Sequence, residues 1–180
     1  MKKIQGLLLI WMCLFTQASW AQEELFEAIN QGDLVSISSL YRSNSDADML
    51  RYGDGFGPLA YAAYIGNKNS VKVLLEIGAD VNVATRKGTP LHAAAIAGNL
   101  EIMKLIIAYG ADINAIDIRD RSPLIVATIN EQKEIIDYLK SLKADTSIID
   151  IHKKTAADYA LENSLQNQNN GSGSLAESRD

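Results

Sequence analysis

An all-α repeat solenoid is the fold class that this 180-residue sequence predicts, and three observations predict it. The segments GPLAYAAYIG (57–66), TPLHAAAIAG (89–98) and SPLIVATINE (122–131) carry Pro and Leu at the same two places, 32 and 33 residues apart. A second marker keeps step with the first, as GADVN at 78–82, GADIN at 110–114 and KADTS at 143–147. Between the markers, apolar residues recur at helical spacing. Self-similarity at such a period means one supersecondary unit stacked on copies of itself, because a single unit cannot bury its apolar face alone.

Taken from the N-terminus, residues 1–21 read as a cleaved secretory signal peptide rather than as fold. Lys2 and Lys3 precede an apolar run from Gly6 to Phe15, and Ser19 and Ala21 occupy the small-residue positions of a cleavage site, placing the cut after Ala21. The run is roughly half of what a membrane-spanning helix needs, so no stable membrane anchor is expected. Cys13 follows Trp11 and Met12 instead of the small residues that a lipidation signal carries.

Residues 22–165 form the expected repeat domain. ELFEAINQGDLVSISSLY (24–41) aligns with the unit at 57 through Leu25, Ala28 and Gly32 but lacks a Thr-Pro start, and reads as an N-terminal cap. In the units that follow, Thr89 and Ser122 are N-cap residues, and Pro58, Pro90 and Pro123 stand at the first helical position, where a missing N–H costs nothing. Gly66 and Gly98 end these short first helices. The second helices carry buried stripes, Val71, Leu74 and Leu75 in one and Ile102, Leu105 and Ile106 in the next, and stop at Gly78 and Gly110. KTAADYALENS (154–164) places Thr155 33 residues after Ser122, with Asp158 as its capping-box partner, and reads as a last half-repeat. Residues 166–180 are polar, Gly/Ser-rich and aperiodic, and are expected to be disordered.

A period near 33 with T-P-L-H-x-A opening one helix and G-A-D-x-N closing the next resembles the ankyrin repeat. The resemblance implies a β-turn, two antiparallel helices and a loop per unit, here about four repeats plus a C-terminal half-repeat cap. The pattern has departures. The unit around Arg86 is one residue short in its turn, Gly57 replaces the usual Thr, and Asp120 and Glu131 stand where Gly is expected.

Removing the signal leaves 15 of the 17 basic side chains against 22 acidic ones, a net of −7, which makes nucleic acid a poor partner. The only cysteine, Cys13, leaves with the signal, so no disulfide is available and stability must come from the stacked repeats. A short Lys-Lys signal of this kind suits the periplasm, with full secretion as the alternative. The expected state is a monomer without cofactor or metal.

His92 and His152 are the only histidines. Catalysis by either would need a nucleophile or orienting carboxylate within reach, and a metal site two or more suitably spaced ligands, and the sequence supplies no such pattern. In the family resembled, the histidine at the position of His92 is structural, bonding between neighbouring turns; a haem or metal contact is the alternative. Asp80 and Asp112 sit at equivalent places in successive units and satisfy loop N–H groups.

The same resemblance implies a concave binding face made of turn tips and first helices. Carried onto this chain, the tips hold Tyr52, Asp54 and Phe56, then Arg86 and Lys87, then Ile118, Arg119 and Arg121. The first-helix column holds Asn30 and Gln31, Tyr64 and Ile65, Ile96 and Ala97, and Ile129 and Asn130. Aromatic, Ile and Arg side chains grouped on one face resemble an interface core. For Ile65, Ile96 and Ile129, partial packing between helices is an equal alternative. The implied function is a non-catalytic scaffold that restrains a periplasmic enzyme, as an immunity protein or an inhibitor of a cell-wall hydrolase. The alternative is an accessory to a periplasmic catalase or haem protein, with His152 or a tyrosine as contact. Because both tryptophans, Trp11 and Trp20, precede the expected cut, the exported protein should show tyrosine-only fluorescence. Tryptophan emission from purified periplasmic material would mean that the signal is retained.

Overall fold

The computed structural model describes Trp20, residues 22–53 and residues 55–173. The expected signal cleavage site and Asp54 therefore lie outside the described residues. The described chain is a stack of helix pairs. Residues 22–31 form α1, followed by α2 (Leu34–Ser43) and a short 3-10 turn (Ala47–Met49). Three pairs in the repeat pattern follow: α3 (Pro58–Tyr64) with α4 (Lys68–Glu76), α5 (Pro90–Ala97) with α6 (Leu100–Ala108), and α7 (Pro123–Ile129) with α8 (Lys133–Ser141). A final helix, α9 (Ala156–Gly173), closes the array. First helices stack on first helices, α3 on α5, α5 on α7 and α7 on α9, while α4 packs between α2 and α6. Among the described residues no helix is long and apolar enough to cross a membrane.

Local chemistry sets the helix boundaries. The three prolines occupy the first helical position as expected, behind Gly57, Thr89 and Ser122. Ser122 Oγ accepts the Ile125 amide at 3.3 Å. The second helices are capped by Asn67, whose Oδ1 accepts the Ser70 amide at 3.1 Å, and Asn99, which accepts the Ile102 amide at 3.0 Å. In the half-repeat the reciprocal cap forms: the Thr155 amide donates to Asp158 Oδ2 at 2.8 Å, and the Asp158 amide to Thr155 Oγ1 at 3.3 Å. Asp120 and Glu131, which replace the expected glycines, adopt φ of 57° and 55°. The left-handed backbone is thus kept at some steric cost, which Asp tolerates better than most residues.

The core runs the length of the stack through Leu25, Ile37, Leu59, Leu74, Leu91, Ile102, Ile106, Leu124 and Leu139, all essentially without solvent contact. Of the expected second-helix stripe, Leu105 is half-buried, and Met103 takes a buried place beside Ile102. Small residues in the first helices, Ala60, Ala62, Ala63 and Ala93–Ala95, let the backbones of successive repeats approach closely.

Polar bonds tie the loops in the same direction. Asn82 Oδ1 accepts the Asp112 amide at 2.8 Å, and one repeat later Asn114 Oδ1 accepts the Asp145 amide at 2.8 Å. Within each loop, Asp80 and Asp112 accept the amides of Asn82 and Asn114 at 2.8 and 2.9 Å, the role expected of them.

Helix α9 continues to Gly173, into the polar segment for which disorder is expected. Once the turn capped by Thr155 is nucleated against α7, each further residue adds a hydrogen bond that about offsets the entropy of fixing it. The side chains of 165–168 are solvent-exposed, so this extension is held by its backbone rather than by the core.

Leu91→Ala, in the middle of the stack, should lower unfolding free energy by roughly 2–5 kcal/mol. Deletion of 166–180 should change it by less than about 0.5 kcal/mol. Denaturant melts of the two variants check this, and equal losses would contradict a stack held by neighbouring repeats.

Candidate functional site

His92 settles first, because it is the residue whose chemistry most resembles an active site. It is fully buried. Its Nδ1 accepts the Thr89 amide at 3.1 Å, with the Thr89 hydroxyl 2.9 Å away, so the ring proton sits on Nε2 and is donated to the Arg121 carbonyl at 2.8 Å. One side chain thus caps its own helix and bonds the next repeat. Burial holds the imidazole below its ordinary pKa of 6.5, despite the favourable Arg121 carbonyl and the nearby Asp117 charge. Gly88 makes room for the ring: a Cβ there would lie 2.6 Å from His92 Cγ, and its φ of +96° is left-handed. His152 is an exposed residue of the last tip whose amide donates to Asp150 at 2.9 Å. Among the described residues, no group of three or more His, Cys, Asp or Glu is placed to hold a metal ion.

The tips share a plan. In the third tip, Asp117 Oδ1 accepts the Arg119 and Arg121 amides at 2.8 and 3.0 Å, and in the last, Asp150 Oδ1 accepts those of His152 and Lys154 at 2.9 and 3.1 Å. Thr85 plays this part in the short tip, where its Oγ1 accepts the Lys87 amide at 3.2 Å and Thr85 pairs with Gly88. Tyr52 stands at the equivalent place in the first tip and pairs with Phe56. A phenol cannot fold back onto the tip's own amides as a short side chain can. Its ring lies instead against Tyr61, with centroids 4.4 Å apart, and Phe26, 5.0 Å apart.

That substitution opens a cleft of about 370 Å³ lined by Tyr52, Gly53, Phe56, Tyr61, Tyr64, Lys87 and Ile96. Phe56 and Tyr64 stack in its lining at 4.9 Å and 21°, and Tyr52 and Tyr61 line it with ring centroids 4.4 Å apart. Tyr61 Oη donates to Asn30 Oδ1 at 2.6 Å, and burial pushes its phenol pKa up. The rings are therefore held in place before any ligand arrives, with their faces and edges available for apolar and stacking contacts.

Five of the expected contact residues, Tyr52, Phe56, Tyr64, Lys87 and Ile96, meet at this cleft. Tyr61 was not among them. Its signal lay in the repeat register, because the equivalent positions hold the small or slender Ala93 and Val126. The other expected residues divide. Arg86 lines a separate hollow with Arg51, Gly53 and Gly55. Ile65 is exposed, Ile129 packs against the core, and the Asn130 amide group donates to the Val126 carbonyl at 2.8 Å. Ile118 and Arg119 are exposed at the third tip.

Two expectations are corrected. Phe56 is not an exposed tip residue: pairing with Tyr52 turns it back under the tip, where it is 7 % exposed and lines the cleft stacked on Tyr64. Arg121 is not a free rim cation. It bonds the buried Asp117 Oδ2 through Nε at 2.9 Å and Nη2 at 2.6 Å, because a carboxylate removed from water requires a charged partner. The pair and two amides hold the Asp117 carboxyl below its ordinary range against the opposing effect of burial.

A family profile described as ankyrin repeats (3 copies) matches residues 25–117. No curated protein matches the chain.

Two outcomes follow for the polar residues. The unfolded chain binds a proton at His92 near pH 6.5 and the folded chain does not, so His92 contributes stability above that pH which is lost as pH falls below it. Thermal melts at pH 7.5 and 5.5 should show a lower Tm at 5.5, and the drop should shrink in His92→Asn. Separately, Arg121→Glu should cost about 3–5 kcal/mol by leaving Asp117 buried beside a like charge. Arg119→Glu should stay within about 0.5 kcal/mol of the parent in the same melts.

Proposed function

Because the chain belongs to the ankyrin-repeat family, whose arrays are in general non-catalytic scaffolds for protein–protein binding, we propose that it binds and restrains a partner enzyme in the periplasm. The partner is a delivered toxin, to which this chain confers immunity, or a peptidoglycan hydrolase or endopeptidase that the cell must keep in check. The observation that carries this reading is the convergence of Tyr52, Phe56, Tyr61 and Tyr64 on one open cleft at the junction of tip and first helix. Aromatic side chains with few rotatable bonds, already stacked in the free protein, lose little entropy on binding and are the commonest anchors of protein interfaces. A rigid face of this kind occludes an active site by shape alone and asks no chemistry of its own residues. The signal-like N-terminal segment supports the compartment.

Tyr64 is the anchor to test, being 44 % exposed where Phe56 is buried. Affinity capture from periplasmic extract with the full chain identifies the partner, and titration of the chain into that enzyme's assay measures restraint. Stoichiometric inhibition is expected, with Tyr64→Ala weakening it by about 2 kcal/mol at an unchanged Tm. Capture of a catalase or haem protein whose activity the chain does not lower would overturn the inhibitor reading.

A further inference from the structure

We propose that the hollow between the first two tips binds the phosphoryl group of a small soluble molecule, held between the guanidinium groups of Arg51 and Arg86. The hollow measures about 490 Å³, and these two arginines line it together with Gly53 and Gly55. No acidic side chain among the described residues lines it. The inference goes beyond the reading of a protein partner, because it concerns a small ligand and two cations that lie outside the aromatic cleft.

Two departures from the repeat pattern build the site. Arg51 stands where the later units carry Ala84, Ile116 and Ile149, and Gly57 stands where they carry Thr89, Ser122 and Thr155. The departures belong together. Arg51 Nη1 donates to the Asp48 carbonyl at 2.6 Å and to the Leu50 carbonyl at 2.7 Å, and a Cβ on Gly57 would lie 3.3 Å from that nitrogen. Thr or Ser at 57 would crowd the guanidinium, and α3 accordingly begins without the side-chain cap that Ser122 gives α7. The bonds to carbonyls fix the guanidinium and leave its charge uncompensated. In the third tip the half-buried Arg121 is neutralised by Asp117, whereas among the described residues neither Arg51 nor Arg86 pairs with a carboxylate. The Asp48 carboxylate is taken by the Tyr41 hydroxyl and the Asp80 amide.

The donors select the ligand. A guanidinium fixed beforehand loses little freedom on binding, and its planar fork matches two oxygens of one phosphoryl group. Arg86 is exposed and lines the hollow from the neighbouring tip, so a phosphate monoester, close to a dianion at neutral pH, meets one cation from each repeat. A carboxylate brings about half that charge. Gly53 and Gly55 put no side chain into the hollow, which lets an anion approach the tip backbone. The chain carries a net −5, so the rest of its surface repels an extended polyanion or an anionic bilayer, while a small molecule meets the two arginines alone.

Calorimetric titration of the full chain with inorganic pyrophosphate, and with acetate for comparison, tests the site. One pyrophosphate per chain is expected, bound at least about tenfold more tightly than acetate and more weakly as salt rises. The Arg86 side chain makes no hydrogen bond or ion pair among the described residues, so Arg86→Ala should weaken pyrophosphate at least about tenfold with the Tm of the free chain unchanged. Arg51→Lys, which keeps the charge and loses the fork, should weaken it as well. Asp54 lies between the two glycines in sequence and outside the described residues, and Asp54→Asn is the control. Pyrophosphate that binds this variant and not the parent would mean that the chain's own carboxylate takes the place, and overturns the proposal. Absence of saturable binding, an affinity unchanged in Arg86→Ala, or binding confined to phosphatidylglycerol vesicles overturns it too. Each of these results leaves the restraint of a partner enzyme, read through Tyr64→Ala, as it was.

Discussion

The hydrogen bond from the buried His92 imidazole to the Arg121 carbonyl ties the middle repeats into register, and much of the site's geometry follows from it. The ring reaches the next repeat only because Gly88 has no side chain to block it and because Thr89 holds Nδ1 as an acceptor. The carbonyl it meets belongs to the residue whose guanidinium neutralises Asp117, and Asp117 in turn folds the third tip around its own amides. A change anywhere along this chain of contacts leaves a buried polar group without a partner, which costs more than the net gain of any single bond. The imidazole at the centre of the array is therefore a structural group, with its nitrogens engaged and its charge suppressed.

The same construction explains why the proposed contact residues sit at the tips and the first helices. Each helix pair covers its neighbour, so the second helices are committed to the stack and the loops that follow them to the Asn82–Asp112 and Asn114–Asp145 ladder. The tips need only one inward polar residue each. Where that residue is Asp or Thr, the flanking side chains are released to solvent. Where it is Tyr52, the tip loses its internal acceptor and gains a ring, and the cleft appears beside it. A single departure from the repeat pattern thus accompanies an aromatic cleft on this face.

The two ends of the row of tips differ in character. The N-terminal cleft is concave and aromatic, able to receive a protruding side chain. The C-terminal tips expose aliphatic side chains, Ile116, Ile118, Ile149 and Ile151. Between them stands the short tip with Arg86 and Lys87. An array whose neighbours fix one another presents both regions at constant separation, so binding need not order the scaffold first.

The amino-acid sequence by itself determined the repeat, its register, the helix starts at Pro58, Pro90 and Pro123, the reciprocal cap of Thr155 with Asp158, and the loop role of Asp80 and Asp112. These depend on short-range rules, in which a proline without an N–H, a hydroxyl before a helix or a recurring apolar spacing acts within a few residues. The identity of the contact residues was legible only in part, because it depends on which side of a tip each residue turns. Phe56 and Arg121 both stand immediately before a helix cap and both read as exposed, yet one is drawn under the tip by its pairing with Tyr52 and the other is held by a carboxylate four residues earlier. Tyr61, Ile116, Ile149 and Ile151 had no local mark of burial or exposure. Their places were decided by packing against Phe26 and Tyr52 or by the inward turn of Asp117 and Asp150. Exposure at a tip is a property of two neighbouring repeats at once, and only the folded stack brings them together.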